Sequence, residues 1–145
     1  LLDWTASPFV ALFFAFEDPE PSSDSKYRVV FGLDETAITD KCSSLLESGI
    51  DLVEFYRPFT DENQRLVNQA GLFTKSAENI DIETWVQTHF KSSAPPVLFK
   101  VYIPNHDREA CLVFLNRMNI NHSTLFPDLY GSSQFANFKR KISGY

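Results

Sequence analysis

The first part of the chain alternates dense apolar runs with polar stretches. Residues Phe9 to Phe16 are apolar on every side, and they follow Ser7-Pro8. This pair favours helix initiation, because a Ser side chain accepts a bond from an orphan amide and Pro fixes the first helical φ. The pattern therefore predicts a buried helix over Pro8 to Phe16. The acidic residues from Glu17 to Ser25, rich in Pro and Ser, predict an exposed loop.

Two segments rich in β-branched and aromatic residues predict strands of one sheet. They are Tyr27 to Leu33 and Val97 to Ile103, and the second, after the helix breaker Pro95-Pro96, is expected to be central. Between them, apolar spacing and the positions of carboxylates, Gly and Pro predict shorter elements. The first two are a helix over Thr36 to Leu46 that ends at Gly49 and a strand over Leu52 to Tyr56 that stops at Pro58. A short helix then runs from a Thr60-Asp61 cap through Gln69 and ends at Gly71. An extended segment over Leu72 to Thr74 and a helix over Asp81 to Phe90 follow.

The last third of the chain is expected to hold two helices joined by a long loop. Asn105 is a suitable N-cap for an amphipathic helix through Met118, and a basic helix is predicted over Ser133 to Ile142. The sequence from Asn119 to Gly131 predicts a long loop, and its Leu and Phe side chains indicate that the loop packs back on the core. His122, within that loop, is expected to be a solvated turn residue.

These elements predict an α+β fold with a mixed, mainly antiparallel sheet flanked by short helices. The loops are too irregular in length for a doubly wound parallel sheet. A chain of 145 residues with 43% hydrophobic and 22% charged residues is expected to form one ordinary domain. Its 14 Phe residues are expected to fill the core.

Charge and length narrow the classes of partner. Thirteen Lys and Arg residues stand against 19 Asp and Glu, and the net charge of −6 disfavours binding to nucleic acid or anionic lipid through bulk electrostatics. The longest apolar run is far shorter than the roughly 20 residues of a membrane-spanning helix. Cys42 and Cys111 lack metal-ligand spacing, so we expect structural thiols in the reducing cytoplasm.

Common catalytic and nucleotide motifs are missing from the sequence. The five Gly residues are scattered singly, which excludes a P-loop and a dinucleotide fingerprint. The three His residues lack the spacing of zinc ligands, so we expect no metal site. A Ser nucleophile elbow is also absent.

Three polar segments are harder to explain by packing and capping alone. The first is the strand-to-helix turn from Asp3 to Ser7, where several side chains can form hydrogen bonds. The second carries Arg65 and Gln69 at i, i+4 on one helix face, where they either read a nucleotide or are solvated. The third is Thr124 to Asp128. We expect these segments to converge on one cleft.

Taken together, the segments resemble the FRG domain family. The resemblance rests on Leu2-Asp3-Trp4-Thr5 with Ser7-Pro8 and Ala11 to Ala15, on Arg65 with Gln69 to Phe73, and on Thr124 to Leu129 with Gly131. It implies that residues 1–145 form the C-terminal major part of such a domain. The Phe-Arg-Gly motif that names the family is expected to precede Leu1. The family occurs mainly in bacteria and their phages, and membership alone does not supply a reaction.

A more distant similarity suggests a chemistry. Thr5-Ala6-Ser7 leading into the apolar helix looks like the second motif of ADP-ribosyltransferases, which use NAD and share a split sheet. The analogy implies that Thr5 and Ser7 hold the nicotinamide ribose, with Arg65 and Phe73 as further cofactor contacts. Gln69 would take the position of a catalytic Glu. Because Gln is neutral, catalysis would also need a carboxylate such as Asp3 or Glu62.

Three functions therefore remain open from the sequence. The first is an NAD-using, ADP-ribosyltransferase-like toxin or phage-defence effector that modifies a protein or nucleic acid. The second is a non-catalytic module that binds a nucleotide, another small molecule or a protein. The third is a structural interaction domain, whose contact would be the acidic loop from Glu17 to Glu20.

Overall fold

The computed structural model describes residues 1–18, 26–46, 52–57, 63–76, 80–91 and 93–145. The chain divides into two compact units. The first unit comprises Leu1–Trp4, Phe31–Arg57 and Leu72–Val101, and the second comprises Thr5–Val30, Pro58–Gly71 and Tyr102–Tyr145.

Strands and short helices alternate along the described residues as far as the fifth strand, three more helices follow, and the strands form two small sheets, so the predicted α+β fold is confirmed. The strands are β1 (Leu2–Thr5), β2 (Tyr27–Leu33), β3 (Glu54–Tyr56), β4 (Gly71–Lys75) and β5 (Leu98–Pro104). The helices are α1 (Pro8–Glu17), α2 (Glu35–Leu45), α3 (Gln64–Asn68), α4 (Ile82–His89), α5 (Arg108–Arg117), α6 (His122–Leu125) and α7 (Leu129–Lys141), with a 3₁₀ turn at Asn105–Asp107. One sheet has the order β1-β4-β3 and the other pairs β2 with β5. Strand β3 runs antiparallel to β4, with Phe55 opposite Thr74.

The first unit encloses a core between α2, α4 and neighbouring strands. Both helices begin at an Asp whose carboxylate accepts a main-chain amide, Asp34 from Ala37 at 3.0 Å and Asp81 from Thr84 at 2.8 Å. Hydrogen bonds from Thr84 lower the pKa of Asp81. The buried residues of this core are Ile38, Cys42, Val53, Trp85, Val86 and Val97.

The second unit has a larger core formed mainly by α1, α5, α6 and α7. Phe13 and Phe16 of α1 are completely buried, as are Leu112 and Leu115 of α5. The other buried members are Val10, Leu125, Phe126, Phe138, Ile142 and Tyr145. Burial of this many large apolar side chains supplies the main stabilising free energy of the unit.

Helix α1 matches its predicted bounds within one residue, but the expectation that it is buried on every side is wrong. Phe9 is 47% exposed and Phe14 is 38% exposed. The core covers only the stripe that includes Val10 and Phe13, so the opposite stripe faces solvent despite its apolar composition.

Strand β5 pairs with β2 as predicted, but its expected central position is wrong. Among the described residues these two strands form a sheet of their own. The middle residues of β5, from Phe99 to Tyr102, are exposed. Its β-branched and aromatic composition reflects the strand conformation itself rather than burial on two faces.

Two predictions in the last third of the chain are also wrong. Asn105 does not cap α5, because its side-chain oxygen accepts a bond from Arg28 Nε at 2.9 Å and a 3₁₀ turn precedes the helix. The segment Asn119 to Gly131 is not a loop throughout. It contains α6, and α7 begins at Leu129 rather than at Ser133.

The remaining boundary predictions have mixed outcomes. The helices predicted from Thr36 and from Asp81 occur at those places, and the strand predicted from Leu52 is shortened to β3. Helix α3 begins after Asn63 and ends at Asn68. The expected roles of Gly49, Pro58, Thr60-Asp61 and Glu62, and most of the loop from Glu17 to Ser25, lie outside the described residues. None of the described helices combines the length and apolar character needed to cross a membrane.

Candidate functional site

The turn between β1 and α1 is fixed to the end of α3 by two hydrogen bonds, and a third lies within the turn. Thr5 Oγ1 donates to the Gln69 carbonyl at 2.6 Å and accepts the Ser7 amide at 3.0 Å. The Ala6 amide donates to the Ala70 carbonyl at 2.9 Å. Ser7 Oγ accepts the Val10 amide at 3.4 Å, which is its predicted role as the N-cap.

The same end of α3 also holds α6. Asn68 Nδ2 donates to the Thr124 carbonyl at 2.7 Å, and Gln69 Nε2 donates to the Leu125 carbonyl at 3.1 Å. Asn121 and Thr124 form a reciprocal capping box at the start of α6. Two of the last carbonyls of this four-residue helix are thus satisfied by amide side chains from α3.

A cleft of about 510 Å³ opens between these elements of the second unit. Its polar lining consists of hydroxyls and amides, and its apolar lining is aliphatic. No charged side chain lies among the described lining residues. They are Ser7, Val10, Asn68, Ala70, Asn119, Ile120, Ser123, Thr124 and Leu125. Such a surface suits a ligand with neutral hydrogen-bonding groups and an apolar face.

Two cleft residues have left-handed backbone conformations. Ala70 has φ +47° and Asn119 has φ +63°, and no other non-Gly residue within the described ranges has positive φ. Asn119 follows the C-cap of α5 in a Schellman motif, with the Ile120 amide donating to the Leu115 carbonyl at 2.9 Å. Asn tolerates that conformation, whereas Ala at position 70 is strained by its Cβ.

The strain at Ala70 corrects a detail of the sequence prediction. Gly71 was expected to end α3, but it is the first residue of β4, and Ala70 takes the left-handed position just before it. A strained residue in a ligand-sized cleft is a recognised mark of a functional site.

The predicted site residues of the second unit lie in different surroundings. Ser7 lines the cleft. Thr5 and Gln69 lie beside it, but their hydrogen bonds go to the main chain of the turn, α3 and α6. Arg65 is exposed, with its guanidinium carbon 4.5 Å from the centre of the Phe126 ring. Thr5, Ser7 and Gln69 are therefore brought together, while Arg65 contacts an aromatic ring.

Asp3 and Phe73 belong to the first unit. Asp3 is exposed on β1, next to Trp4, whose indole Nε1 donates to Thr74 Oγ1 at 2.9 Å. Phe73 is half-buried on β4, opposite Tyr56 of β3. Neither Asp3 nor Phe73 is among the described residues that line the cleft.

The expectation that His122 is solvated is wrong, and no local pattern in the sequence indicates its buried position. The side chain is 1% exposed, and its Nε2 lies 3.0 Å from Glu17 Oε1, 105 residues away. Phe13 and Phe138 contact the ring edge to face. The Nδ1 atom is buried without a hydrogen-bond partner among the described residues.

Other polar groups surround the end of α1. Arg108 donates from Nε to the Phe16 carbonyl at 2.8 Å and from its terminal nitrogen to the Glu17 carbonyl at 3.1 Å. Partial burial lowers the pKa of Arg108, and burial raises the pKa of Tyr145 to about 12. The arrangement is a buried polar cluster that anchors α1 to α5 and α6.

Metal-ligating residues do not cluster within the described ranges. No group of three His, Cys, Asp or Glu side chains there has a geometry that could hold an ion. Cys42 and Cys111 are both free thiols, and burial raises the pKa of Cys111.

The first elements of the chain, which contribute to the cleft, carry a sequence that matches a known family. Residues 1–24 match the FRG domain. The resemblance inferred from the sequence is confirmed over those residues, and their described part, residues 1–18, contains β1, the capped turn and α1. The FRG segment thus supplies Ser7 and Val10 to the cleft. No curated protein and no solved structure matches the chain.

Proposed function

We propose that this FRG-domain chain binds a nucleotide such as NAD, with a neutral part of the ligand in the cleft. The observation that carries the proposal is the lining itself, where the hydroxyls of Ser7 and Ser123 and the Asn119 amide lie beside an aliphatic wall. The Thr124 hydroxyl and the Asn68 amide, also in the lining, form hydrogen bonds within the protein. A nicotinamide or nucleoside offers matching donors and acceptors together with an apolar ring face. A volume of about 510 Å³ lies within the usual range of small-molecule sites.

Binding is better supported than catalysis. Transfer or hydrolysis of ADP-ribose develops positive charge on the ribose, and a carboxylate would be needed to stabilise it. The described lining residues include no carboxylate, and the Gln69 amide donates to a main-chain carbonyl. We therefore assign nucleotide recognition to the cleft and treat ADP-ribosyl transfer as a separate activity for assay.

Calorimetric titration of the chain with NAD, ADP-ribose, nicotinamide riboside and nicotinamide tests the proposal. Ser123 is an exposed lining residue, so Ser123→Ala should weaken nicotinamide riboside binding about 3- to 10-fold with little change in stability. Ser133→Ala, an exposed hydroxyl on α7, is the matched control and should leave affinity unchanged. Absence of saturable binding by all four compounds would refute nucleotide recognition.

A second pair of variants separates capping from ligand contact. Ser7→Ala and Asp128→Ala each remove an N-cap in the second unit and should each cost about 1 kcal/mol of stability. Only Ser7→Ala removes a cleft hydroxyl, so only it should weaken binding. Release of nicotinamide from NAD by the wild-type chain, measured over hours, would add a catalytic function to the binding function.

A further inference from the structure

An aromatic surface that includes one arginine lies on α1, α3, the residue after α6 and the start of α7. We call it the aromatic–arginine surface, and it consists of Phe14, Arg65, Phe126 and Tyr130. Phe126 is 5% exposed and forms its floor, with Phe14 edge to face at 6.1 Å and Tyr130 edge to face at 6.2 Å. Phe14 and Tyr130 are partly open to solvent.

Arg65 is held on this surface by an aromatic ring instead of a carboxylate. Its guanidinium lies 4.5 Å from the Phe126 centroid, and the side chain is exposed. No carboxylate within the described residues forms an ion pair with it. A guanidinium fixed in this way keeps N–H donors available for an anion, and its planar fork matches phosphate.

The surface continues from the cleft along each element. On α1, Val10 lines the cleft and Phe14 follows one turn later. On α3, Asn68 lines the cleft and Arg65 precedes it by three residues. After α6, Leu125 is succeeded directly by Phe126. Residues separated by three or four positions are neighbours on one face of a helix, so the two regions adjoin.

We propose that the aromatic–arginine surface binds the phosphate and aromatic base of the nucleotide whose neutral end occupies the cleft. The inference rests on the function proposed above. Beside the neutral cleft, one cation packs on a cluster of aromatic rings, and this chemistry matches the phosphate and base that accompany the riboside in a dinucleotide. A stable protein interface needs about 800 Å² from each partner, which four side chains do not supply.

The test compares ligands that contain or lack phosphate. Arg65→Gln should weaken the binding of NAD and ADP-ribose at least tenfold, because charge-assisted hydrogen bonds to phosphate are lost. The affinity for these two ligands should also lose most of its dependence on salt concentration. Nicotinamide riboside, which has no phosphate, should bind Arg65→Gln as it binds the wild type. Arg117→Gln removes an exposed arginine on α5 and serves as the control of equal charge.

The aromatic part of the proposal has its own variant. Tyr130→Ala should weaken NAD and AMP binding several-fold without affecting nicotinamide riboside, since base stacking on the ring is lost. Tyr102→Ala, an equally exposed tyrosine on β5, is the control. NAD affinity unchanged in both Arg65→Gln and Tyr130→Ala would overturn this inference. If Ser123→Ala still weakened the binding of nicotinamide riboside, the cleft proposal would stand. Failure of the aromatic–arginine proposal can therefore be distinguished from failure of the cleft proposal.

Discussion

The left-handed backbone at Ala70 gives a sharp test of the cleft geometry. At φ +47° the Ala Cβ crowds the main chain, at a cost of about 1 to 2 kcal/mol relative to Gly. Gly also raises the entropy of the unfolded chain, which offsets about 0.4 to 1 kcal/mol of that gain. Ala70→Gly should therefore stabilise the protein by about 0.5 to 1 kcal/mol. The exposed methyl group contributes little packing that could be lost.

The control is the same chemical change in an ordinary helical position. Ala136 is exposed in the middle of α7, where Gly costs about 1 kcal/mol relative to Ala. The two substitutions should thus have opposite signs. For a chain of this size 1 kcal/mol corresponds to about 2 to 4 °C, so their unfolding midpoints should differ by roughly 3 to 8 °C.

Thermal unfolding followed by far-ultraviolet circular dichroism measures both midpoints, and urea titration checks the free energies. A midpoint that falls in Ala70→Gly by as much as in Ala136→Gly would show that residue 70 is not strained. Ala70→Gly should also weaken NAD binding. The substitution removes a methyl group that lines the cleft, and Gly loosens the turn that holds Ala6.

Two further substitutions test the core of the second unit. A Cβ on Gly131 would lie 2.0 Å from the Phe126 carbonyl oxygen, so Gly131→Ala should cost at least about 3 kcal/mol in urea unfolding, while the neighbouring Ser133→Ala should be nearly neutral. Tyr145→Phe removes a buried hydroxyl that has no hydrogen-bond partner among the described residues, and it should be neutral or stabilising by up to about 1 kcal/mol at pH 7. Burial raises the pKa of Tyr145 to about 12, so the wild type should lose stability relative to Tyr145→Phe as pH rises from 10 to 12. Parallel midpoints over that range would contradict the burial of the hydroxyl.

Local signals account for most of the elements that could be predicted. Ser7 and Asp81 are predicted at the starts of helices, and each, like Asp34 in the structure, accepts a main-chain amide from three residues ahead. A cap depends only on the residues beside it, which is why a sequence reveals it. The strands β2 and β5 were predicted for the same reason, from composition over seven residues.

Long-range contacts account for the errors. Asn105 has the chemistry of a cap, but its side chain accepts a hydrogen bond from Arg28, 77 residues away. His122 has the chemistry of a solvated turn, but it pairs with Glu17 across 105 residues. Nothing near these residues in the sequence distinguishes the two outcomes, because the deciding partner belongs to another element.

The candidate site shows the same division. Local capping explains the three polar segments poorly, and all three, as the capped turn, the end of α3 and α6, contribute lining to one cleft. The sequence did not show which atoms would remain for a ligand. Gln69 is the clearest case, because its side-chain amide donates to the Leu125 carbonyl and its main-chain carbonyl accepts a hydrogen bond from the Thr5 hydroxyl.

The cleft depends on α6, and α6 depends on tertiary contacts. Four residues are too few to form a stable helix by propensity, so this element needs outside support. That support comes from Asn68 and Gln69 on one side and from Glu17, through His122, on the other. Substitutions at Glu17 would therefore reach the cleft through α6, although Glu17 does not line it. The cleft wall and the buried histidine are consequently one structural unit, although only the wall was expected from the sequence.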